Sequence, residues 1–227
     1  MSAAGGPVRV AVLDYGMGNR RSVLKALEHV GASAQSTRDP EQLRGADGVV
    51  VPGVGAFPLA MGNLRALGLE GPLRAIAAAG TPLLGICLGM QLLFERSDEL
   101  EPTAGLGLLR GPVTRLRSGG LRIPHIGWNE VSFERPSPLT DGLPAQGCPF
   151  YHVHSLVARP ADPADVVASA VYGERFASIV ARGSVYGVQF HPEKSSVHGL
   201  RMLGSFVDRC RRAAAPPTPA AAAAARA

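Results

Sequence analysis

The sequence predicts a single α/β domain: a central, mostly parallel mixed sheet flanked by helices and extended by antiparallel strands. Three observations predict it. In the first half, short β-rich runs alternate with amphipathic segments, the rhythm of βαβ units. Those runs are continuous in valine instead of alternating with polar residues, as expected of strands covered on both faces. The chain of 227 residues is 46% hydrophobic and 18% charged, ordinary for a globular protein and too apolar for a disordered one. That length suits one large domain or two small ones.

In order, "VRVAVLD" (8–14) reads as a strand, "RRSVLKALEHVG" (20–31) as a helix, "DGVVVPG" (47–53) as a strand, residues 59–69 as a helix and "TPLLGI" (81–86) as a strand. From residue 110 to 171 the character changes to short strand-like pieces, "GWNEVSF", "PFYHVHSLV" and "ADVVASA", broken by Pro and Gly and suited to antiparallel additions. "FASIVARGSVYGVQF" (176–190) reads as two strands around a turn at 182–184. In the last helix Val197, Leu200, Leu203, Phe206, Val207 and Cys210 recur at spacings of three and four, a stripe expected to face the core. The domain is expected to span 8–212, followed by a disordered tail of low complexity, "AAAPPTPAAAAAARA" (213–227).

Composition narrows the function. A net charge of +5 and a pI near 9.6 raise the question of nucleic acid, but the basic residues are scattered, and the cluster Arg209, Arg211 and Arg212 closes a predicted helix. No nucleic-acid partner is expected. Three well-separated cysteines with no CxxC pair indicate neither a disulfide framework nor a zinc ribbon and fit a reducing compartment. The amino terminus lacks signal-peptide character, and no run approaches the roughly 20 apolar residues that span a bilayer, so a cytoplasmic protein with no membrane partner is expected.

The chemistry concentrates at "GICLGMQLLF" (85–94), where a strand ending at Ile86 meets a helical pattern. Gly85-x-Cys87-x-Gly89 is a nucleophile-elbow arrangement with cysteine in the serine position. Glycines there let strand and helix approach around a residue in strained backbone geometry. The amides that open the helix, Leu88 first, have no intrahelical acceptor and can receive an oxyanion. Cys87 reads either as this nucleophile or as a small buried hydrophobe, the usual fate of a free cysteine; Cys148, in a loop, and Cys210, on the helix stripe, read as structural. A nucleophile needs a base and the base an orienting group. In "YGVQFHPEKS", Pro192 holds His191 extended, and a two-residue period would project Glu193 on the same side. The pair reads either as the remainder of a triad or as a solvated strand end. Both Cys87 and His191 fall at carboxyl ends of predicted strands, where open α/β sheets place their sites.

Two longer elements, "PLLGICLGMQLLFE" (82–95) and "VYGVQFHPEKS" (185–195), resemble the signatures of class I glutamine amidotransferase domains, a flavodoxin-like fold. The resemblance runs from Val8 to about Arg212 and implies a Cys-His-Glu triad that hydrolyses the side-chain amide of glutamine. Within the class, "DYGMGN" (14–19), "VPGVGAF" (51–57), "IPHIGWNEV" (123–131) and "YHVHS" (151–155) look like the glutaminase subunits of imidazole glycerol phosphate synthases of histidine biosynthesis. The loop at 52–55 separates these from the pyridoxal-phosphate synthase and anthranilate synthase glutaminases.

The resemblance makes Cys87 the nucleophile, His191 base and acid, and Glu193 the orienting carboxylate. It makes Gln91 and Ser155 substrate contacts, and lines the oxyanion site with Leu88, Gly53, Val54 and Gly55, the Val54 amide turning inward for activity. Asn19, Trp128, Tyr151 and Lys194 match positions near the partner, a synthase (cyclase) subunit with a (β/α)8 barrel that uses the ammonia. No cofactor and no metal are implied. The chain departs from the pattern at Arg20, His152 and Leu156, where an apolar residue, an aromatic and a tyrosine are frequent.

Other patterns carry bland readings as well. "GMGNRRS" has two glycines before a helix but lacks the third of a dinucleotide fingerprint, leaving a phosphate cradle or a partner-facing turn. His152 and His154 share a strand face without a matching carboxylate or cysteine set for a metal. Trp128, the one tryptophan, is either core or an interface anchor. The rival functions are the glutaminase of another synthase, a cysteine hydrolase or peptidase on a similar sheet, and a non-catalytic subunit that keeps the motif.

Overall fold

The computed structural model describes residues 6–214. Its elements are β1 (Arg9–Leu13), α1 (Arg20–His29), β2 (Ser33–Thr37), α2 (Pro40–Arg44), β3 (Gly48–Val51), α3 (Phe57–Ala66), α4 (Glu70–Ala78), β4 (Leu83–Ile86) and α5 (Leu88–Leu92). There follow β5 (Arg96–Ser97), β6 (Thr103–Ala104), β7 (Pro112–Arg115), β8 (His125–Phe133), β9 (Gly147–His154), β10 (Leu156–Ala158), β11 (Val166–Tyr172), β12 (Glu174–Arg182), β13 (Val185–Val188) and α6 (Ser196–Ala214).

The nine-stranded main sheet has the order β2-β1-β3-β4-β13-β12-β11-β8-β9. From β2 to β13 the pairings are parallel, and from β13 to β9 antiparallel. Continuous valine runs form the parallel strands because both faces are covered. Val10 and Val12 of β1 enter one core with Phe206 and Leu203 of α6, while Ala11 and Leu13 enter the other with Leu64 and Leu73 of α3 and α4. Each fully buried side chain of this kind contributes roughly 1.5–3 kcal/mol.

The expected antiparallel additions divide in two. β8, β9, β11 and β12 extend the main sheet, but β10, β7, β5 and β6 form a separate four-stranded sheet. "PFYHVHSLV" therefore breaks at Ser155 into β9 and β10, which belong to different sheets. The stripe of the last helix also needs correction: Val197 is 69% exposed, because the helical repeat sets it on the face of α6 opposite the buried Gly199, Leu203, Phe206 and Cys210. Helix α6 continues through Ala214, past the expected domain end at 212; the rest of the tail lies outside the described residues.

Candidate active site

β4 ends at Ile86 and α5 begins at Leu88, so the whole turn is made by Cys87, with φ +53° and ψ −109°. A non-glycine residue at positive φ is strained, and the neighbours show why it is tolerated. A Cβ on Gly89 would stand 1.8 Å from the Val51 carbonyl oxygen, and one on Gly85 2.5 Å from the Gly89 carbonyl oxygen. The two glycines let α5 settle onto β3 and β4, and the Cys87 amide, bonded to the Val188 carbonyl at 2.8 Å, ties the elbow to β13.

β13 lies beside β4, so the chain leaving it delivers His191 to the elbow. His191 is extended, as Pro192 requires, but Pro192–Lys194 then form a 3-10 turn in place of a continuing strand. The turn, not a two-residue period, brings Glu193 Oε1 to 2.8 Å from His191 Nδ1. Asn19, from the turn before α1, donates to the same oxygen, and Glu193 Oε2 is buried with no partner among the described residues. Burial works against a charge on His191, but hydrogen bonding to Cys87 and Glu193, with their charge interactions, prevails and holds the imidazole at about 10.

The edge strand β9 curls back to this point. The His191 amide donates to the Tyr151 carbonyl at 2.9 Å, and the Tyr151 amide to Ser195 Oγ at 3.0 Å. The Val153 carbonyl stands 3.6 Å from Cys87 Sγ. Between these elements lies a cavity of about 260 Å³, lined by Val54, Gly55, Cys87, Leu88, Gln91, Glu99, Pro124, Val153, His154, Ser155, Leu156, His191 and Lys194. A comparable hollow at β2, lined by Arg9, Gln35 and Gln42 among others, has no cysteine, histidine or carboxylate on its wall.

The cavity gathers most of the expected residues and sorts the rest. Gly53 is not on its wall: a Cβ there would meet Tyr15 Oη at 2.6 Å and Leu88 Cβ at 2.9 Å, so Gly53 backs the elbow. Gln91 is 4% exposed and gives its Nε2 hydrogens to the Leu156 carbonyl at 3.2 Å and Gln189 Oε1 at 3.1 Å, which leaves its own Oε1 as the group free to face a ligand. Lys194, expected near a partner, also reaches the cavity. Trp128, 54% exposed, is not core; it packs edge-on against Tyr151 with centroids 6.1 Å apart, on the solvent face of the β8–β9 pair. The "GMGN" turn serves the site: Asn19 touches Glu193, and a Cβ on Gly18 would stand 3.1 Å from the Val54 amide nitrogen.

Sequence reasoning missed two residues. Glu99 lines the cavity and accepts from the Phe57 amide at 2.7 Å, offering a carboxylate for an ammonium group. Gln189 reaches the Cys87 sulfur at 3.7 Å. Glu99 sits in the charged run "ERSDELEP", with nothing local to mark it, whereas Gln189 lies inside a quoted motif and its position two residues before His191 was a usable signal.

His152 and His154 form, with His125, a buried cluster that meets the cavity wall at His154. His154 Nδ1 faces the Leu156 carbonyl at 3.0 Å and so carries hydrogen; its Nε2 then accepts from His125 Nδ1 at 3.0 Å. His152 donates to the Phe150 carbonyl and accepts from Ser178, both at 3.1 Å. Burial pushes all three imidazoles down, His154 to about 3. Among the described residues no group of three or more His, Cys, Asp or Glu is disposed to hold a metal ion, and no helix is long and apolar enough to cross a membrane.

The family model for class I glutamine amidotransferases matches residues 11–210. The imidazole glycerol phosphate synthase subunit HisH of Moorella thermoacetica is 49% identical over 204 residues, covering 90% of this chain and 96% of that one. The subunit of the same name from Methylococcus capsulatus is 51% identical, covering 87% and 95%. Among solved structures, a glutamine amidotransferase superposes with a TM-score of 0.70 at 24% identity over 89% of this chain and 98% of that one. A structure of PurLQS from Thermotoga maritima superposes with 0.68 at 22%, covering 89% and 99%. At these identities the superpositions speak to the fold.

Proposed function

The chain belongs to the class I glutamine amidotransferases, and from that premise we propose that it is the glutaminase subunit of an imidazole glycerol phosphate synthase, with Cys87, His191 and Glu193 as its triad. It hydrolyses glutamine to glutamate and ammonia and hands the ammonia to a synthase subunit. The near 50% identity to two HisH subunits over almost their whole length supports the pathway. The observation that carries the chemistry is the meeting of elbow thiol and imidazole on one cavity wall, with the buried Glu193 carboxylate held against the far nitrogen of the ring.

Glutamine enters with its carboxamide at Cys87. Glu99 faces its α-ammonium group and Lys194 its α-carboxylate, while Gln91 Oε1 and the Ser155 region fix the remaining polar atoms. The thiolate attacks the amide carbon, and the Leu88 amide and the Val54–Gly55 loop receive the oxyanion. His191, kept protonated by its two partners, passes its proton to the departing nitrogen, and ammonia leaves a thioester. Water then attacks, His191 takes its proton, and the C–S bond breaks to release glutamate. Glu193 holds Nδ1 throughout, so Nε2 faces the thiol.

Ammonia is largely protonated in neutral water, so its acceptor must be close. The exposed face formed by Ile126 and Trp128, beside Tyr151, Asn19 and Lys194, is the proposed seat of the synthase subunit, a (β/α)8 barrel. Docking there bears on the "GMGN" turn, whose Asn19 bonds Glu193 and whose Gly18 lies where a Cβ would crowd the Val54 amide, and so links the partner to the oxyanion loop. In the reconstituted complex, Cys87→Ala lowers glutamine-dependent synthesis by more than about 10⁴-fold and leaves synthesis from added ammonium salt intact. Retained glutamine-dependent synthesis would overturn the assignment.

A further inference from the structure

The mechanism so far gives no task to Gln189, a fully buried polar side chain two residues before His191. Its backbone amide donates to the Ser178 carbonyl at 2.9 Å, which anchors it to β12. Its side-chain Nε2 approaches Cys87 Sγ at 3.7 Å, and its Oε1 accepts from Gln91 Nε2 at 3.1 Å.

The direction of these contacts follows from the one member that cannot be reversed. A backbone carbonyl only accepts, so the group that Gln91 turns to the Leu156 oxygen, 3.2 Å away, is its NH2. An NH2 only donates, so the Gln189 atom facing it is the carbonyl oxygen. That leaves the NH2 of Gln189 against the sulfur. Turning the Gln189 amide over would set two NH2 groups head to head and a carbonyl oxygen against the sulfur. The polarity thus runs one way, from the Leu156 backbone to Cys87.

We propose that Gln189 is a positioning residue for the nucleophile, its amide N–H donating to the Cys87 sulfur and favouring thiolate over thiol, in an orientation that Gln91 imposes. The sulfur also faces the Val153 carbonyl at 3.6 Å, which accepts from S–H and favours the thiol. Gln189 opposes that preference, and a donor aimed at a buried anion is stronger than one between neutral groups. Gln91 then serves twice, with Oε1 toward the cavity and its NH2 as the brace behind the nucleophile. This inference rests on the reading of Cys87 as the nucleophile.

The test is the rate at which iodoacetamide alkylates Cys87 in the full chain across pH, followed by mass spectrometry. Cys148 and Cys210 are internal controls, because burial holds their thiols at about 11 and about 12. Gln189→Met keeps the length and removes the donor. The pH of half-maximal alkylation moves up by about one unit, the plateau above it is unchanged, and in the complex kcat falls while KM for glutamine holds. Gln189→Glu, closer in shape, moves the midpoint in the same direction and carries the test if the Met variant melts. An unmoved midpoint in a folded variant overturns the inference, as does a plateau lowered at every pH, the mark of lost packing. A Cys87 in the unmutated chain no faster than Cys148 overturns the nucleophile reading itself.

Discussion

His191 and His154 are buried to nearly the same degree, 2% and 5% exposed, yet the first is held at about 10 and the second at about 3. Burial disfavours the charged imidazole at both. The difference lies in what each ring touches. His191 has a carboxylate on one nitrogen and the Cys87 thiol within hydrogen-bonding reach. The cluster of His125, His152 and His154 has carbonyls, a hydroxyl and one another, and the His125 ring stacks on Tyr172 with centroids 4.0 Å apart. Partners that carry charge turn a buried histidine into a proton donor; neutral partners turn it into a polar filler of the core.

Converting one environment into the other is the largest test of that contrast. Glu193→Gln leaves His191 with a neutral partner, like those of the cluster. Glutaminase kcat in the complex falls on the order of 10³ to 10⁴-fold, and the bound imidazole, followed by NMR, titrates well below its original position. A smaller effect comes from the other side of the β8–β9 pair. Trp128→Ala touches neither group of histidines and weakens association with the synthase subunit by about 2 kcal/mol, roughly 30-fold in Kd by calorimetry. Glutamine hydrolysis by the isolated chain stays as it was; a fall there would mean that the two faces of the pair are coupled.

The smallest effect concerns pH and stability. The cluster histidines have folded values below the unfolded 6.5, so above about 6.5 both states are neutral and nothing is lost. As pH falls, the unfolded chain binds protons that the folded chain refuses, and stability declines by up to about 1.4 kcal/mol per pH unit per histidine, for His154 down to about 3. His152→Phe removes one such proton. Urea unfolding then shows a shallower decline between pH 6.5 and 5, against a loss of about 1 kcal/mol at pH 7 from the unpaired Ser178 hydroxyl and Phe150 carbonyl. An unchanged slope would mean that the cluster is already protonated in the folded state.

What the sequence reveals follows how local each signal is. The parallel strands are legible because two cores impose continuous apolar runs on Val10 to Leu13 and Val49 to Val51. The elbow is legible because its glycines are forced by contacts within a few residues of Cys87 or on the adjacent strand. By contrast β2, "SAQST", is an edge strand with a single buried residue, and α2 buries only Leu43, so neither has a periodicity to detect. β5 and β6 are two residues each, too short for any pattern. Glu99 and Gln189 acquire their places from partners 42 and 98 positions away, at Phe57 and Gln91. His191 and Glu193 were legible as a pair, but the 3-10 turn that joins them was not, since Pro192 permits both an extended chain and the first residue of a turn.

β13 enters the sheet between β4 and β12, near its centre, although it is the last strand to be made. Cys87 and His191 are 104 positions apart (191 − 87), and at about 5–20 residues per second the thiol leaves the ribosome on the order of 5–20 s before the imidazole proposed as its base. Until β13 inserts, the Cys87 amide has no Val188 carbonyl to hold it and the elbow has no imidazole. With Cys87 and His191 as the proposed catalytic pair, a nascent or truncated chain carries an idle cysteine and releases no ammonia, and the onset of glutaminase activity during synthesis marks closure of the sheet.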